Sequence, residues 1–146
     1  MKIHFLTHDD ACWNSVADFA STCSWDACAR MAAFMRNNSL KDWERVIVAE
    51  NDGGYMGFCV LLKPGSFPGF EYTPLIKWVF VKEQYRGRRL SQSLLEAVAE
   101  YAKGLGFNKV FLTTWHVGLY EKYGFVKIFD KEVRDGYVEG VYEKSI

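Results

Sequence analysis

The sequence predicts one α/β domain over residues 1–146, with the element order β-α-α-β-β-β-α-β-α-β-β. Two runs of β-branched and aromatic residues, 75–81 and 110–113, flank a segment whose apolar residues recur at helical spacing. Strands joined by a helix are parallel neighbours. Two further β-rich runs flank an Asp52-Gly53 turn, which predicts an antiparallel hairpin. A length of 146 residues with 49% hydrophobic content suits one packed domain.

The first third of the chain is predicted to form one strand and two helices. Residues 2–7 have the composition of a strand. Asp9 or Asp10 is placed to cap a first helix, and Ser24 to cap a second helix that ends at 37–38. The predicted apolar faces are Trp13, Val16, Ala17 and Ala20 in the first helix, and Cys28, Met31, Ala32 and Met35 in the second.

The middle of the chain predicts the hairpin, with strands at 45–50 and 55–62, and then a long loop. This loop, 63–74, contains all three prolines of the protein, two glycines and three aromatic residues. Loops of this kind are usually functional or mobile. It either flanks a binding pocket or packs on the surface.

The stretch 77–95 is the one around which the chain is organised. Its opening run 78–81 is typical of a strand buried on both faces, and after a polar turn the basic segment 85–89 precedes a helix that begins at Leu90. The first-turn amides and the dipole of that helix point into the turn. Gly87 allows close approach of a ligand, and the arginines around it match phosphate oxygens. The turn is therefore a candidate phosphate site.

An ordinary strand-to-helix connection with a solvated basic turn is the alternative for this stretch. The turn lacks the Gly-Lys-Ser/Thr ending of a nucleoside-triphosphate loop. It also lacks the three glycines of a dinucleotide-binding fingerprint.

The C-terminal third predicts a short helix and two strands. Residues 115–123 suit a short helix that Gly124 ends. Strands are predicted at 126–129 and 140–145, with a bend at Asp135-Gly136.

Bulk properties exclude several classes of protein. Eighteen Lys and Arg balance eighteen Asp and Glu, so no net charge favours nucleic acid or an anionic membrane. No apolar run approaches the roughly 18 residues of a membrane span. Residues 1–5 do not have the apolar core of a signal peptide, and a cytoplasmic protein is expected.

The cysteines and histidines predict neither a disulfide framework nor a metal site. The four cysteines lack Cys-x-x-Cys spacing and are expected to be reduced core residues: Cys12, Cys23, Cys28 and Cys59. His4, His8 and His116 form no ligand set with carboxylates at metal spacing.

Two blocks resemble signature segments of the GCN5-related N-acetyltransferase (GNAT) superfamily. Residues 84–91, Gln-Tyr-Arg-Gly-Arg-Arg-Leu-Ser, are similar to its acetyl-coenzyme A signature, Gln/Arg-x-x-Gly-x-Gly/Ala. Residues 119–125 resemble its C-terminal Tyr-x-x-x-Gly-Phe segment, and the two blocks stand in the family's order. The sequence departs from the pattern at Arg89, where the signature has a second small residue; this side chain could crowd the pyrophosphate or add a contact to it.

The resemblance implies the GNAT fold, a mixed α/β fold whose mostly antiparallel sheet of about seven strands has helices on both faces. The sheet splays between its fourth and fifth strands, and the pantetheine of acetyl-CoA lies in the gap. The residues that the resemblance assigns to the coenzyme are the backbone of Val79, Phe80 and Val81 for pantetheine, Arg86, Gly87, Arg88, Arg89, Leu90 and Ser91 for pyrophosphate, Thr113 where many relatives carry Asn, and Tyr120.

The resemblance also implies the catalytic groups. Tyr120 is the candidate general acid for the leaving thiolate, and a backbone amide near Phe80 or Val81 would meet the oxyanion. A base must deprotonate the amine, whose ordinary pKa is about 10 to 10.5. Glu71, Glu83 and His116 are the candidates, and His116 is either a proton relay or a structural histidine.

Three functions follow as hypotheses. The favoured one is an acetyl-CoA-dependent N-acetyltransferase acting on a primary amine of a small molecule or a peptide. The second is a non-catalytic module of the same fold that senses acyl-CoA, and the third is a nucleic-acid binder, which the zero net charge disfavours. On the acceptor side, Trp25 and Phe34 are candidates for contact with the substrate. A homodimer is common in the family.

Overall fold

The structure of the protein, a computed structural model, describes residues 1–37, 40–63 and 72–146. Within these residues the chain forms seven strands and three α-helices. In chain order they are β1 (Lys2–Leu6), α1 (Trp13–Ser21), α2 (Asp26–Asn37), β2 (Arg45–Asn51), β3 (Gly54–Leu62), β4 (Leu75–Val81), α3 (Leu90–Gly104), β5 (Lys109–Thr114), β6 (Val126–Arg134) and β7 (Tyr137–Ser145). None of the helices in the described ranges is long and apolar enough to cross a membrane.

The chain divides into two compact units. The first consists of Met1–Leu61 and Trp78–Ala97, and the second of Leu62–Lys77 and Val98–Ile146. Both β4 and α3 contribute residues to each unit, and β3 contributes its last residue, Leu62, to the second.

The first unit contains the antiparallel strands β1, β2 and β3 and the helices α1 and α2. The β2–β3 hairpin pairs from Arg45 with Leu61 to Asn51 with Gly54, and a bulge follows Ala49. The predicted apolar faces of both helices are confirmed, since every residue named for them is buried. The indole nitrogen of a buried tryptophan joins the helices: Trp13 Nε1 donates to the carbonyl of Met35 at 3.1 Å.

In the second unit, β5 pairs antiparallel with β7, and β7 pairs antiparallel with β6. Leu75, Phe111 and Val141 form a buried apolar cluster there, with Tyr72 packed against it. β4 and β5 pair in parallel at two positions, Leu75 with Phe111 and Ile76 with Leu112.

The seven strands form one sheet in the order β1-β2-β3-β4-β5-β7-β6. The strands β4 and β5 are parallel, and their pairing stops after two residues although both strands continue. The predicted mixed sheet, with its splay between the fourth and fifth strands, is confirmed.

The predicted cap of the first helix is wrong. Cys12 takes the capping position of α1 and makes no side-chain capping bond. Asp10 instead accepts a hydrogen bond from the backbone N–H of Thr7 at 2.7 Å, while its own carbonyl accepts the N–H of Trp13 at 3.1 Å. The carboxylate thus stabilises the turn before the helix rather than the helix itself.

The predicted cap of the second helix is also wrong, because Ser24 makes a tertiary contact instead. Because α2 begins at Asp26, Ser24 lies ahead of the capping position. Its hydroxyl donates to the carboxylate of Glu83, far away in sequence.

The predicted helix 115–123 forms only over Tyr120–Tyr123, as a 3₁₀ turn. Gly118 adopts φ +87°, which a right-handed helix does not use, and its N–H donates to the Glu121 carboxylate at 2.9 Å. Gly124 ends the turn in the left-handed conformation, φ +93°, as predicted.

The two C-terminal strands are longer than predicted. Residues 126–129 and 140–145 lie within β6 and β7, which extend to form a hairpin around Asp135-Gly136. A two-residue Asp-Gly turn favours a tight hairpin, so the predicted bend is the hairpin turn itself. Most of the predicted loop, 64–71, lies outside the described residues.

Candidate functional site

The turn between β4 and α3 has a left-handed backbone at two positions. After a 3₁₀ turn at Glu83–Tyr85 and an extended Arg86, Gly87 and Arg89 adopt φ of +81° and +57°. A Cβ on Gly87 would meet no atom within 4 Å, so this glycine is needed for its conformation and not for space. Arg89 adopts a conformation that costs roughly 1–2 kcal/mol for an L-residue. The backbone at position 89 therefore has a conformation that glycine favours, although the sequence has an arginine there instead of the small residue of the signature.

The three arginines of this turn are all exposed, but their contacts differ. Arg86 Nε donates to the carbonyl oxygen of Val81 at 2.9 Å. Arg89 Nη1 lies 3.5 Å from Oε1 of Gln92, at the limit of a hydrogen bond. Arg88 makes no hydrogen bond or ion pair with any residue that the structure describes. Two guanidinium groups beside the start of α3 are thus available to an anion.

Trp78 interrupts the regular backbone of β4 with φ +53°. A bulky residue adopts this conformation rarely, and it turns the backbone amide and carbonyl away from their regular strand directions. The half-buried Trp78 ring contacts the ring of Phe34, with the centroids 5.4 Å apart. Nothing in the sequence predicted this irregularity directly before 79–81.

Phe80 lies within an aromatic cluster of the first unit. Its ring stacks on Phe58 at 5.3 Å and on Trp25 at 6.3 Å between centroids, and Phe19 meets it edge-on at 6.4 Å. Gly57 permits this arrangement, because a Cβ there would lie 2.4 Å from the Phe80 carbonyl oxygen. A glycine inside a strand run is the sequence signal from which such a close approach can be predicted.

The connection between α1 and α2 reaches the turn after β4 through Ser24 and Glu83. The Ser24 hydroxyl donates to the Glu83 carboxylate, and this bond is the main reason why the pKa of Glu83 is lowered. A smaller contribution comes from Arg86, whose Nη2 lies 3.7 Å from Glu83 Oε1. Glu83 is therefore a carboxylate at neutral pH, and more than half of its side chain is exposed.

Near the end of β5, Thr113 has a buried hydroxyl. Its Oγ1 is buried and makes no hydrogen bond within the described part of the chain. An unsatisfied buried hydroxyl costs about 1–3 kcal/mol, so such groups usually have a partner. A ligand amide or carbonyl is one such partner, which fits the prediction for this position.

Tyr120 is buried in the 3₁₀ turn of the second unit. Its ring packs edge-on against Tyr123 and Phe125, both with centroids 6.2 Å away, and its carbonyl accepts the N–H of Phe125 at 3.1 Å. The ring of His116 lies edge-on to Tyr120 at 6.5 Å. The two predicted catalytic side chains are therefore neighbours.

His116 is half-buried and its ring stacks on the exposed Trp115, with the centroids 4.0 Å apart. Burial lowers the pKa of His116, and the charge of Glu139 opposes this effect only in part. The imidazole is therefore neutral at pH 7 and able to accept a proton.

The structure places the predicted site residues in two groups. Residues 79–81 and 86–91 belong to the first unit, and Thr113, His116 and Tyr120 to the second. Two observations suit a phosphorylated coenzyme with an amide-bearing arm. The exposed guanidinium groups of Arg88 and Arg89 lie at the start of a helix, and the Thr113 hydroxyl on β5 is buried without a partner among the described residues. Of the candidate bases, Glu71 lies outside the described residues.

Residues 42–127 match the model of a family described as an acetyltransferase (GNAT) domain. The match covers more than half of the chain and includes both blocks that carry the resemblance. No curated protein matches the sequence significantly.

Several solved structures share the fold over nearly the whole chain. An acyl-CoA N-acyltransferase from Pseudomonas aeruginosa has a TM-score of 0.72 at 18% identity, with 98% of each chain covered. An aminoglycoside 6'-N-acetyltransferase complexed with coenzyme A has a TM-score of 0.70 at 14% identity, covering 99% of this chain and 97% of the other. An IAA acetyltransferase from Bacillus cereus ATCC 14579 has a TM-score of 0.65 at 20% identity, with 99% of both chains covered. At such identities the likeness establishes the fold.

Proposed function

Because this chain belongs to the GNAT acetyltransferase family, we propose that it is an N-acetyltransferase that moves the acetyl group of acetyl-CoA to a primary amine. The observation that carries the proposal is the turn before α3, with the left-handed Gly87 and with Arg88, which is exposed and has no partner in the described ranges, beside the helix start. A small-molecule acceptor is favoured, and a peptide is the alternative. One solved structure of this fold, an aminoglycoside 6'-N-acetyltransferase, was obtained with coenzyme A, which supports the choice of co-substrate.

In this proposal the coenzyme is bound mainly through backbone and basic groups. The backbone amides at the start of α3 and the guanidinium groups of Arg88 and Arg89 bind the pyrophosphate. The backbone at 79–81 and the hydroxyl of Thr113 bind the amides of the pantetheine arm. These assignments give a role both to the buried Thr113 hydroxyl on β5 and to the left-handed turn at Arg89.

The reaction itself is attack of a neutral amine on the thioester carbonyl. A new N–C bond forms, the C–S bond breaks, and the amine loses one proton while the sulfur leaves as thiolate or thiol. At pH 7 only about one alkylamine in a thousand is neutral, so a proton acceptor accelerates the reaction. His116, neutral and beside Tyr120, is the proposed relay for that proton.

Tyr120 is the proposed acid for the departing sulfur. An ordinary phenol is about 1.5 pKa units weaker as an acid than an ordinary thiol, so complete transfer of its proton would be uphill by roughly 2 kcal/mol. We therefore assign to Tyr120 a hydrogen bond that stabilises the developing thiolate, not a complete transfer of its proton. The burial of Tyr120 supports this role, because a hydrogen bond to a charge is stronger away from water.

A second candidate function, a module that senses acyl-CoA without turnover, is favoured by Arg89 alone. This side chain occupies the position of a small residue in the family signature and could alter how the pyrophosphate is bound. Binding without transfer would then be the result.

Thiol release measured with an amine panel separates the two functions. The panel contains an aminoglycoside, a polyamine and an arylalkylamine, each incubated with saturating acetyl-CoA. The proposal predicts amine-dependent release of coenzyme A together with an acetylated amine. Binding of acetyl-CoA with no release for any amine would favour the sensor, and the absence of binding would contradict both.

A further inference from the structure

We propose that Arg86 is a positioning residue, which fixes the C-terminal end of β4 and its link to the α1–α2 connection, and that Arg88 and Arg89 are the arginines that bind phosphate. This inference rests on the proposed function and assigns different roles to the three arginines of one turn. The contacts of Arg86, Arg88 and Arg89 support it.

Arg86 is turned back onto the strand that precedes it. Its Nε donates to the carbonyl of Val81 at 2.9 Å, five residues earlier, and its guanidinium lies 5.7 Å from the centroid of the Phe80 ring. The first contact closes the turn and the second packs the charge over an aromatic face. The guanidinium thus holds the part of β4 to which the pantetheine arm is assigned.

Arg86 is also part of a chain of polar contacts. Its Nη2 lies 3.7 Å from Oε1 of Glu83, and the same oxygen accepts the hydroxyl of Ser24. The next residue, Trp25, stacks on Phe80 at 6.3 Å. The contacts therefore run from the strand end through Arg86 and Glu83 to the α1–α2 connection, and return to the strand through the indole.

Arg88 and Arg89 have no comparable attachment. Arg88 is unpaired among the described residues, and Arg89 has only the 3.5 Å contact with Gln92. Both can turn toward a phosphate without breaking an internal bond. For Arg86 the same movement would break the bond to Val81 and remove the guanidinium from beside Glu83.

Two ligands separate a phosphate-binding residue from a positioning residue. Acetyl-CoA carries the phosphates, whereas S-acetyl-pantetheine carries the thioester arm alone. Losing a phosphate contact weakens only the first ligand, and disturbing the strand weakens both. The dissociation constants are measured by calorimetry, with Arg30→Met on the exposed face of α2 as the control for the loss of one positive charge.

Arg88→Met is expected to weaken acetyl-CoA binding by about tenfold or more, the usual loss for a charge-assisted hydrogen bond, and to leave S-acetyl-pantetheine binding within twofold of the wild type. Arg86→Met is expected to weaken both ligands by a similar factor, so that their ratio of dissociation constants stays at the wild-type value. Arg30→Met should change neither.

Ser24→Ala provides a second test that does not depend on how well Arg86→Met folds. It removes an exposed hydroxyl at the far end of the contact chain and should weaken both ligands together. The inference is overturned if Arg86→Met weakens acetyl-CoA alone, if it changes neither ligand, or, should that variant not fold, if Ser24→Ala changes neither. If wild-type protein binds neither ligand, the proposed function itself fails, and this result is seen before any variant is made.

Discussion

A Cβ on Gly57 would lie 2.4 Å from the carbonyl oxygen of Phe80. The two residues lie on β3 and β4, which are neighbours in the sheet, so the glycine allows the backbone of β3 to pass directly against that of β4. The Lys82 N–H also donates to the carbonyl of Met56 at 2.9 Å, which extends the same close approach. This contact fixes the position of residues 79–81, which are assigned to the coenzyme.

Gly57→Ala should therefore both destabilise the protein and weaken coenzyme binding. A 2.4 Å contact with a backbone atom cannot be relieved by a side-chain rotation, so one strand must shift. Overpacking of this kind typically costs about 1–3 kcal/mol. The free energy of unfolding is measured in urea, and the matched control is Gly104→Ala, since a Cβ at position 104 meets no atom within 4 Å. A free energy for Gly57→Ala within about 0.5 kcal/mol of the wild type would show that the strands have room.

Arg89→Gly should be more stable than Arg89→Ala. Both variants remove the guanidinium, but only glycine removes the cost of φ +57°. The expected difference in the free energy of unfolding is about 1 kcal/mol. Because the two variants share the loss of the side chain, charge effects cancel in the comparison. Equal stabilities would mean that position 89 does not hold the left-handed conformation in solution.

Tyr120→Phe should slow acetyl transfer while leaving the dissociation constant of acetyl-CoA nearly unchanged. The hydroxyl is proposed to act on the thiolate, which exists only late in the reaction, and losing one such donor commonly lowers kcat by roughly 10²-fold. Tyr137→Phe, at an exposed tyrosine, controls for loss of a phenol elsewhere. An unchanged kcat for Tyr120→Phe would remove the proposed role of this residue.

The stability of the protein should depend on pH in part through His116. Burial lowers its pKa in the folded state, so the unfolded chain binds a proton that the folded chain excludes. The contribution of His116 to stability is therefore fully present above its unfolded pKa of about 6.5 and is lost as the pH falls through the lower, folded pKa.

His116→Gln, which keeps a polar side chain without a titratable group, should lose less stability than the wild type between pH 7.5 and pH 5. Urea unfolding of both proteins at the two pH values gives this difference, in which the contributions of all other groups cancel. Parallel pH dependences would mean that the pKa of His116 is not lowered by folding.

Local patterns were sufficient to predict the strand and the helix that flank the candidate site. Both ends of the predicted strand 75–81 and the predicted helix start at Leu90 are the same in the structure. A β-branched run and a helical repeat are both local signals, so they can be recognised in the sequence alone. The left-handed Gly87 also follows from the sequence, since glycine favours this conformation.

The errors came from contacts between residues distant in sequence and from backbone conformations that the residue type does not favour. Serine is a residue type that often caps helices, but the Ser24 hydroxyl donates a hydrogen bond to Glu83 instead. The left-handed conformations of Trp78 and Arg89 could not be predicted, because neither side chain favours them. The predicted helix 115–123 fails at Gly118, a glycine whose left-handed conformation a right-handed helix does not use.

Mass spectrometry of an amine panel incubated with the protein and acetyl-CoA, with release of coenzyme A measured in the same samples, tests the proposed acetyl transfer most directly. We expect at least one amine to gain an acetyl group, in an amount equal to the thiol released and well above the reaction without protein. If no amine gains an acetyl group although acetyl-CoA binds, the protein is not the transferase proposed.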